Sequence, residues 1–167
     1  NPAQDLLPEG TVLELVDLHG IPAFNQDKEK NPPAAVVELK RRIQSADAIL
    51  FATPEYNYSL PGVLKNAIDW ASRPYGESVW LGKATAIMGA SVGSGATARA
   101  QYHLRQILIA LNMPVVSQPE VLIGNAPDLF DDDGRLTDEP TRQSIAELLA
   151  ALVLLFRINQ DGTKQAA

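Results

Sequence analysis

The stretch AILFATPEYNYSLPGVLKNAIDWA, Ala48 to Ala71, decides how the rest of the chain is read. It opens on a short continuous apolar run, Ala48 to Thr53, of the kind that forms a strand covered on both faces by helices. It closes on a helix predicted from about Pro61 to Ala71, with Pro61 in a first turn whose amides have no intrahelical partner to lose. Between them lies a loop holding two tyrosines and an asparagine, where a plain connection would be tight and glycine-rich.

The same alternation continues in both directions. Upstream, Val36, Val37, Leu39 and Ile43 recur at helical spacing from about Pro33 to Ala46, and Lys40, Arg41 and Arg42 lie toward the end that suits the helix dipole. Before that helix, Thr11 to Asp17 is β-branched and alternating after the turn signal Pro8-Glu9-Gly10, which predicts a strand. Downstream, Ala84 to Gly89 predicts a second buried strand, followed by a Gly/Ser loop and a helix from about Thr97 to Leu111. A last strand from about Pro119 to Ile123 then leads to an acidic loop and a closing helix from Glu139 to about Asn159. The polar tail Asp161 to Ala167 is expected to fray. Strands alternating with helices imply an α/β fold with a parallel sheet and helices on both faces. No repeat or linker interrupts the pattern, so residues 1–167 are expected to form a single domain.

Composition narrows the chemistry. Acidic residues outnumber basic ones 20 to 14, the net charge is -6, and no basic stripe offsets repulsion from a phosphate backbone, so nucleic acid is not an expected partner. The longest apolar run, Leu148 to Phe156, is about half of what crosses a bilayer, and no signal peptide opens the sequence, so no membrane association and a cytoplasmic location are expected. There is no cysteine, which removes thiolate catalysis and disulfides, and redox chemistry would need a bound cofactor. The two histidines, His19 and His103, are too far apart in sequence to suggest a metal site, and none is expected.

In an open parallel sheet, ligands sit where loops leave the carboxyl ends of the strands. Two such loops stand out, Thr53 to Gly62 and Gly89 to Thr97. In the first, the amides of Glu55, Tyr56 and Asn57 suit the polar edge of a planar heteroaromatic ligand, with Tyr56 or Tyr58 covering part of its face. The competing reading is that the tyrosines seal the strand end and Asn57 closes a turn. In the second loop, Ser91, Gly93 and Gly95 would let the backbone approach a ligand closely. Gly93, Gly95 and Ala98 also satisfy G-x-G-x-x-A, but that fingerprint belongs to a first strand and wants an acidic residue about twenty positions on, which is lacking here. Asp131 to Gly134 has the wrong flanking residues for a calcium loop and reads as a solvated turn. His103 reads as a surface or interface residue.

Residues Pro54 to Pro74, PEYNYSLPGVLKNAIDWASRP, resemble the signature of the NADPH-dependent FMN reductase family, which includes quinone, chromate and azo-compound reductases. The resemblance extends to KATAIMGAS before the second loop, to TARAQYHLRQIL from Thr97 to Leu108, and to FDDDGRLTDE from Phe130 to Glu139. It implies a flavodoxin-like, doubly wound parallel sheet in the order 2-1-3-4-5. It also implies FMN as cofactor and NADPH or NADH as cosubstrate, with quinones, free flavin or similar small molecules as acceptors. The ring of FMN would meet Pro54, Glu55, Tyr56, Asn57 and Tyr58, and the glycine loop would contribute Ser91, Gly93, Ser94 and Gly95. No side chain is expected to act as acid, base or nucleophile. Family members form homodimers around the helix after the PEYN loop, and some form homotetramers through residues like Arg99, Tyr102 and Glu120. Family chains begin with a strand and a phosphate-binding loop that this sequence lacks, so its domain is expected to be N-terminally incomplete and its sheet to miss the first strand. Alternative readings are a flavodoxin-type electron carrier and a flavin-free binding or regulatory protein.

Overall fold

The structure, a computed structural model, describes residues 2–165. Its elements are helix α1 (Ala34–Ser45), strand β1 (Ala48–Ala52), helix α2 (Gly62–Ala71), strand β2 (Ala84–Ala90), helix α3 (Ala98–Ala110), strand β3 (Val121–Ile123) and helix α4 (Glu139–Gln165). The strands pair in parallel in the order β1-β2-β3, with Ala48 opposite Ala84 and Met88 opposite Val121. This matches the last three strands of the expected order.

Strand periodicity places two cores on opposite faces of the sheet. Ile49, Phe51 and Ile87 point to one face, where they meet Leu39 and Ile43 of α1, Ala67 and Ile68 of α2, and Leu104 and Leu108 of α3. Ala48, Leu50, Ala84 and Ala86 point to the other, where Ile145, Leu148, Leu149 and Leu152 of α4 cover them. The small alanines of β2 leave room for those bulky side chains. Burying each one contributes on the order of 1.5–3 kcal/mol.

Three expectations are corrected. Thr11 to Asp17 is not a strand: the segment lies beside no paired edge, and Val12 is 94% exposed. A strand exists through its ladder, and alternation without a partner leaves only extended chain. What holds this segment instead is the Thr11 hydroxyl donating to the Pro8 carbonyl at 2.6 Å, the ion pair from Arg42 of α1 to Glu14 at 3.2 Å, and Leu13 packed against the second core. The closing helix also runs past Asn159 to Gln165, so residues 161–165 continue it where fraying was expected, and residues 166–167 lie outside the described residues. The last strand is shorter than predicted, with Val115 bridging to Thr85 before the chain rejoins β2 at Val121. Asp131 to Gly134 is the solvated turn that was expected, held by Asp131 Oδ1 accepting from the amides of Asp133 and Arg135.

The loop before α1 is fastened to α2. Asn66 Nδ2 and Trp70 Nε1 both donate to the Pro22 carbonyl, Asn66 Oδ1 accepts the Phe24 amide at 2.8 Å, and the Phe24 ring meets Trp70 edge-on at 5.0 Å. At the other end of β1, Gly89 stands where the sheet and α3 converge. A Cβ there would collide with the Thr53 carbonyl oxygen and come within 2.5 Å of Thr97 Oγ1. Neither neighbour can yield easily, since one is backbone beside β1 and the other is buried at the entry to α3. Gly89→Ala should therefore lower stability by at least ~1–3 kcal/mol, read as a drop in the urea midpoint with an unchanged slope. An unaltered midpoint would contradict this packing.

Candidate functional site

The loops leaving β1 and β2 emerge side by side at the carboxyl end of the sheet, and the amino end of α3 lies between them. The first loop is a tight reversal. Tyr56 and Ser59 exchange both backbone hydrogen bonds at 3.0 Å, with Asn57 and Tyr58 at φ 49° and 66° between them. Two consecutive left-handed residues make the turn that matches strand twist, and asparagine tolerates that conformation best after glycine. Asn57 therefore does close a turn. The tyrosines do not seal the strand end: Tyr56 and Tyr58 are 62% and 67% exposed.

The second loop folds onto its own backbone and onto the start of the segment after β3. Ser91 Oγ accepts the Gly93 amide, Gly93 accepts the Ala96 amide at 3.1 Å, and Ser91 accepts the Ala126 amide. Gly124 makes this possible, because a Cβ there would lie 3.0 Å from the Ser94 carbonyl oxygen and 3.2 Å from that of Gly93. Ala96 enters α3 at φ 50°, a strained conformation for alanine held by the surrounding loop.

Glu55 joins the first loop to the amino end of α3. Its side chain is only 5% exposed, and its carboxylate accepts Arg99 Nε at 2.6 Å and the Ala100 amide at 3.1 Å, with Arg99 Nη2 completing an ion pair. The N-cap residue of α3, Thr97, makes no cap bond to the helix amides, because its hydroxyl accepts Gln101 Nε2. The cap is supplied instead by a carboxylate from the neighbouring loop, where the helix dipole favours negative charge. The Arg99 guanidinium also lies 3.8 Å from the centre of the Tyr58 ring.

A cleft of about 320 Å³ opens between the loops, lined by Glu55, Asn57, Tyr58, Ser91, Gly93, Gly95, Ala96 and Arg99. Ligand sites run from roughly 300 to 1,000 Å³, so this one suits a ring system. Of the residues expected to bind, Pro54, Tyr56 and Ser94 flank the cleft without lining it. Among the described residues, no intrachain hydrogen bond occupies the amides of Glu55, Asn57, Tyr58, Ser94 or Gly95. Free loop amides, exposed aromatic rings and a wall without side chains fit the ring portion of FMN. A second cleft of about 270 Å³ lies at the opposite end of the sheet, but the Lys83 ammonium there is already engaged by the Gln44 and Ala46 carbonyls that end α1.

Arg99 lines the cleft, a placement its interface assignment did not anticipate. Tyr102 and Glu120 lie outside it and meet within the chain at 3.2 Å. His103 is exposed and bonds through Nδ1 to Ser59 Oγ at 3.0 Å. Gly89 and Gly124 escaped notice as shaping residues, although a glycine ending a strand is itself a sign of close approach.

Burial pushes the Glu55 carboxyl upward, but the hydrogen bond from Arg99, the Ala100 amide and the Arg99 charge outweigh it and hold the group below the ordinary glutamate value. A carboxyl lowered on folding contributes stability that is present above its unfolded pKa, about 4.3, and lost as the pH falls through the folded value. A carbon NMR titration of Glu55 should give a midpoint below about 4.3, and Arg99→Ala should move it upward. A midpoint that Arg99→Ala leaves in place would rule out this pairing in solution.

The sequence profile of the NADPH-dependent FMN reductase family matches residues 2–128. The NAD(P)H-dependent FMN reductase PA1204 of Pseudomonas aeruginosa is 52% identical over 153 residues, covering 91% of this chain and 82% of that protein. A quinone reductase of Pseudomonas putida is 43% identical over 156 residues, covering 92% and 84% of the two chains. Among solved structures, FerB, a flavoenzyme NAD(P)H:(acceptor) oxidoreductase from Paracoccus denitrificans, superposes with a TM-score of 0.86 at 37% identity, covering 95% of this chain and 87% of that one.

Proposed function

The chain belongs to the NADPH-dependent FMN reductase family, and from that premise we propose that its cleft holds the FMN ring while electrons pass from NAD(P)H to a quinone, a free flavin or a similar small acceptor. The observation that carries the reading is the pair of loops with free amides at the carboxyl ends of β1 and β2, fastened to one helix end by Glu55. FMN supplies the two-electron chemistry that no side chain of this protein offers.

The residues' own part is to bind and orient. The unengaged amides of the 54–58 and 91–95 loops are donors for a ring edge, and the Glu55 and Arg99 ion pair holds the first loop against the amino end of α3. Because Glu55 and Arg99 neutralise one another, neither is free to act as an acid or base. Holding two reactants in turn at one rigid face is the advantage such a site provides.

The proposal extends to a homodimer or homotetramer in the cytoplasm. What supports assembly is Val63, 65% exposed on the outer face of α2, together with the half-exposed Tyr102 on α3 beside Arg99 and Glu120. Among the described residues, no helix is long and apolar enough to cross a membrane.

Protein incubated with excess FMN and freed of unbound ligand should be yellow. NADPH or NADH without oxygen should bleach the flavin band, and a quinone should restore it. A protein that takes up no flavin would overturn the reading, and bound flavin that resists NAD(P)H would point to an electron carrier.

A further inference from the structure

Of the residues lining the cleft, Glu55 and Arg99 carry the charges, and the two face one another. The Glu55 side chain is 5% exposed, and its carboxylate is fixed from two sides, by Arg99 Nε at 2.6 Å and by the Ala100 amide at 3.1 Å. Arg99 is 46% exposed and lays its guanidinium 3.8 Å from the centre of the Tyr58 ring. The two charges therefore differ in reach, because water and salt screen an exposed group far more than a buried one. Unopposed, the Glu55 carboxylate would set a negative charge in the wall of a site that must itself take on negative charge. A flavin that gains two electrons and one proton becomes more negative by one unit. The Ala100 amide anchors the carboxylate but brings no full charge to offset it, whereas the guanidinium does both.

We infer that Arg99 is the charge-balancing residue of the cleft: it cancels the buried Glu55 carboxylate, and the pair thereby sets the reduction potential of the bound flavin. The inference rests on the FMN reading above and adds the residues that tune the cofactor. Neither residue exchanges a proton or an electron with it, and both act through their field. Their removal has opposite signs. Without the guanidinium, the carboxylate opposes reduction, and without the carboxylate, the guanidinium favours it, by less because it is half exposed. A role confined to holding the loop against α3 would move both variants the same way.

The test equilibrates FMN-loaded protein with a redox dye of known potential and reads the ratio of reduced to oxidised bound flavin, without turnover. It is run at pH 8, far above the carboxylate range, so that Glu55 stays ionised in variants at position 99. Arg99→Gln should lower the ratio about tenfold, equivalent to about 30 mV for a two-electron couple. Glu55→Gln, which keeps an oxygen for the Ala100 amide, should raise it about twofold to threefold. Arg99→Lys, which returns the charge without the planar fork, should bring it back to within about threefold of wild type. Two glutamine variants that shift the ratio in the same direction, or a lysine variant indistinguishable from Arg99→Gln, would overturn the inference. Should the variants at position 99 lose their flavin, the sign in Glu55→Gln decides, and an equal or lower ratio there overturns it. Wild-type protein that binds no FMN removes the FMN reading and this inference together, and bound flavin with unmoved ratios removes the inference alone.

Discussion

At Gly89 three pieces of chain come closer than any side chain would permit: the end of β2, the Thr53 carbonyl just past β1, and Thr97 at the entry to α3. The rest of the site follows from that approach. With β1 and β2 in parallel register, their loops leave the same end of the sheet, and the missing Cβ lets α3 begin directly against both. Only then can the Glu55 carboxylate reach the Ala100 amide and the Arg99 guanidinium from another loop. A buried carboxylate would be costly without partners, but with two of them it becomes a fixed point.

Much of this frame was legible in the sequence. α1 at Ala34–Ser45 and α3 at Ala98–Ala110 fall within a residue or two of the spans that their apolar spacing predicts, because each buries one regular stripe against the sheet. The apolar runs of β1 and β2 identified a two-sided parallel sheet for the same reason. Thr11 to Asp17 misled because alternation reports what a strand would look like, not whether a neighbour exists to pair with it. α4 outran its prediction because its polar last turns carry no apolar period to read.

In the site, the division is between local and tertiary chemistry. The Asn57 turn depends on residues close in sequence and was among the readings offered; the glycine loop was anticipated as a place of close approach, but its fold also needs Gly124 and Ala126 from beyond β3. The cap of α3 by Glu55 and the reach of Arg99 join positions 45 and 44 residues apart, and no local pattern announces them. Family resemblance supplied the cofactor and named Arg99 as an interface residue. Physically, a protein without cysteine and with its cleft charges paired contributes shape and hydrogen bonds, leaving electron transfer to what it binds.

The central claim is that the paired loops above β1 and β2 form the flavin-ring site, and amide chemical shifts during titration with FMN test it most directly. The account predicts the largest, saturable changes at Glu55, Asn57, Tyr58, Ser94 and Gly95. Changes centred instead on the far end of the sheet, around Lys83 and Gln44, or none that saturate, would contradict it.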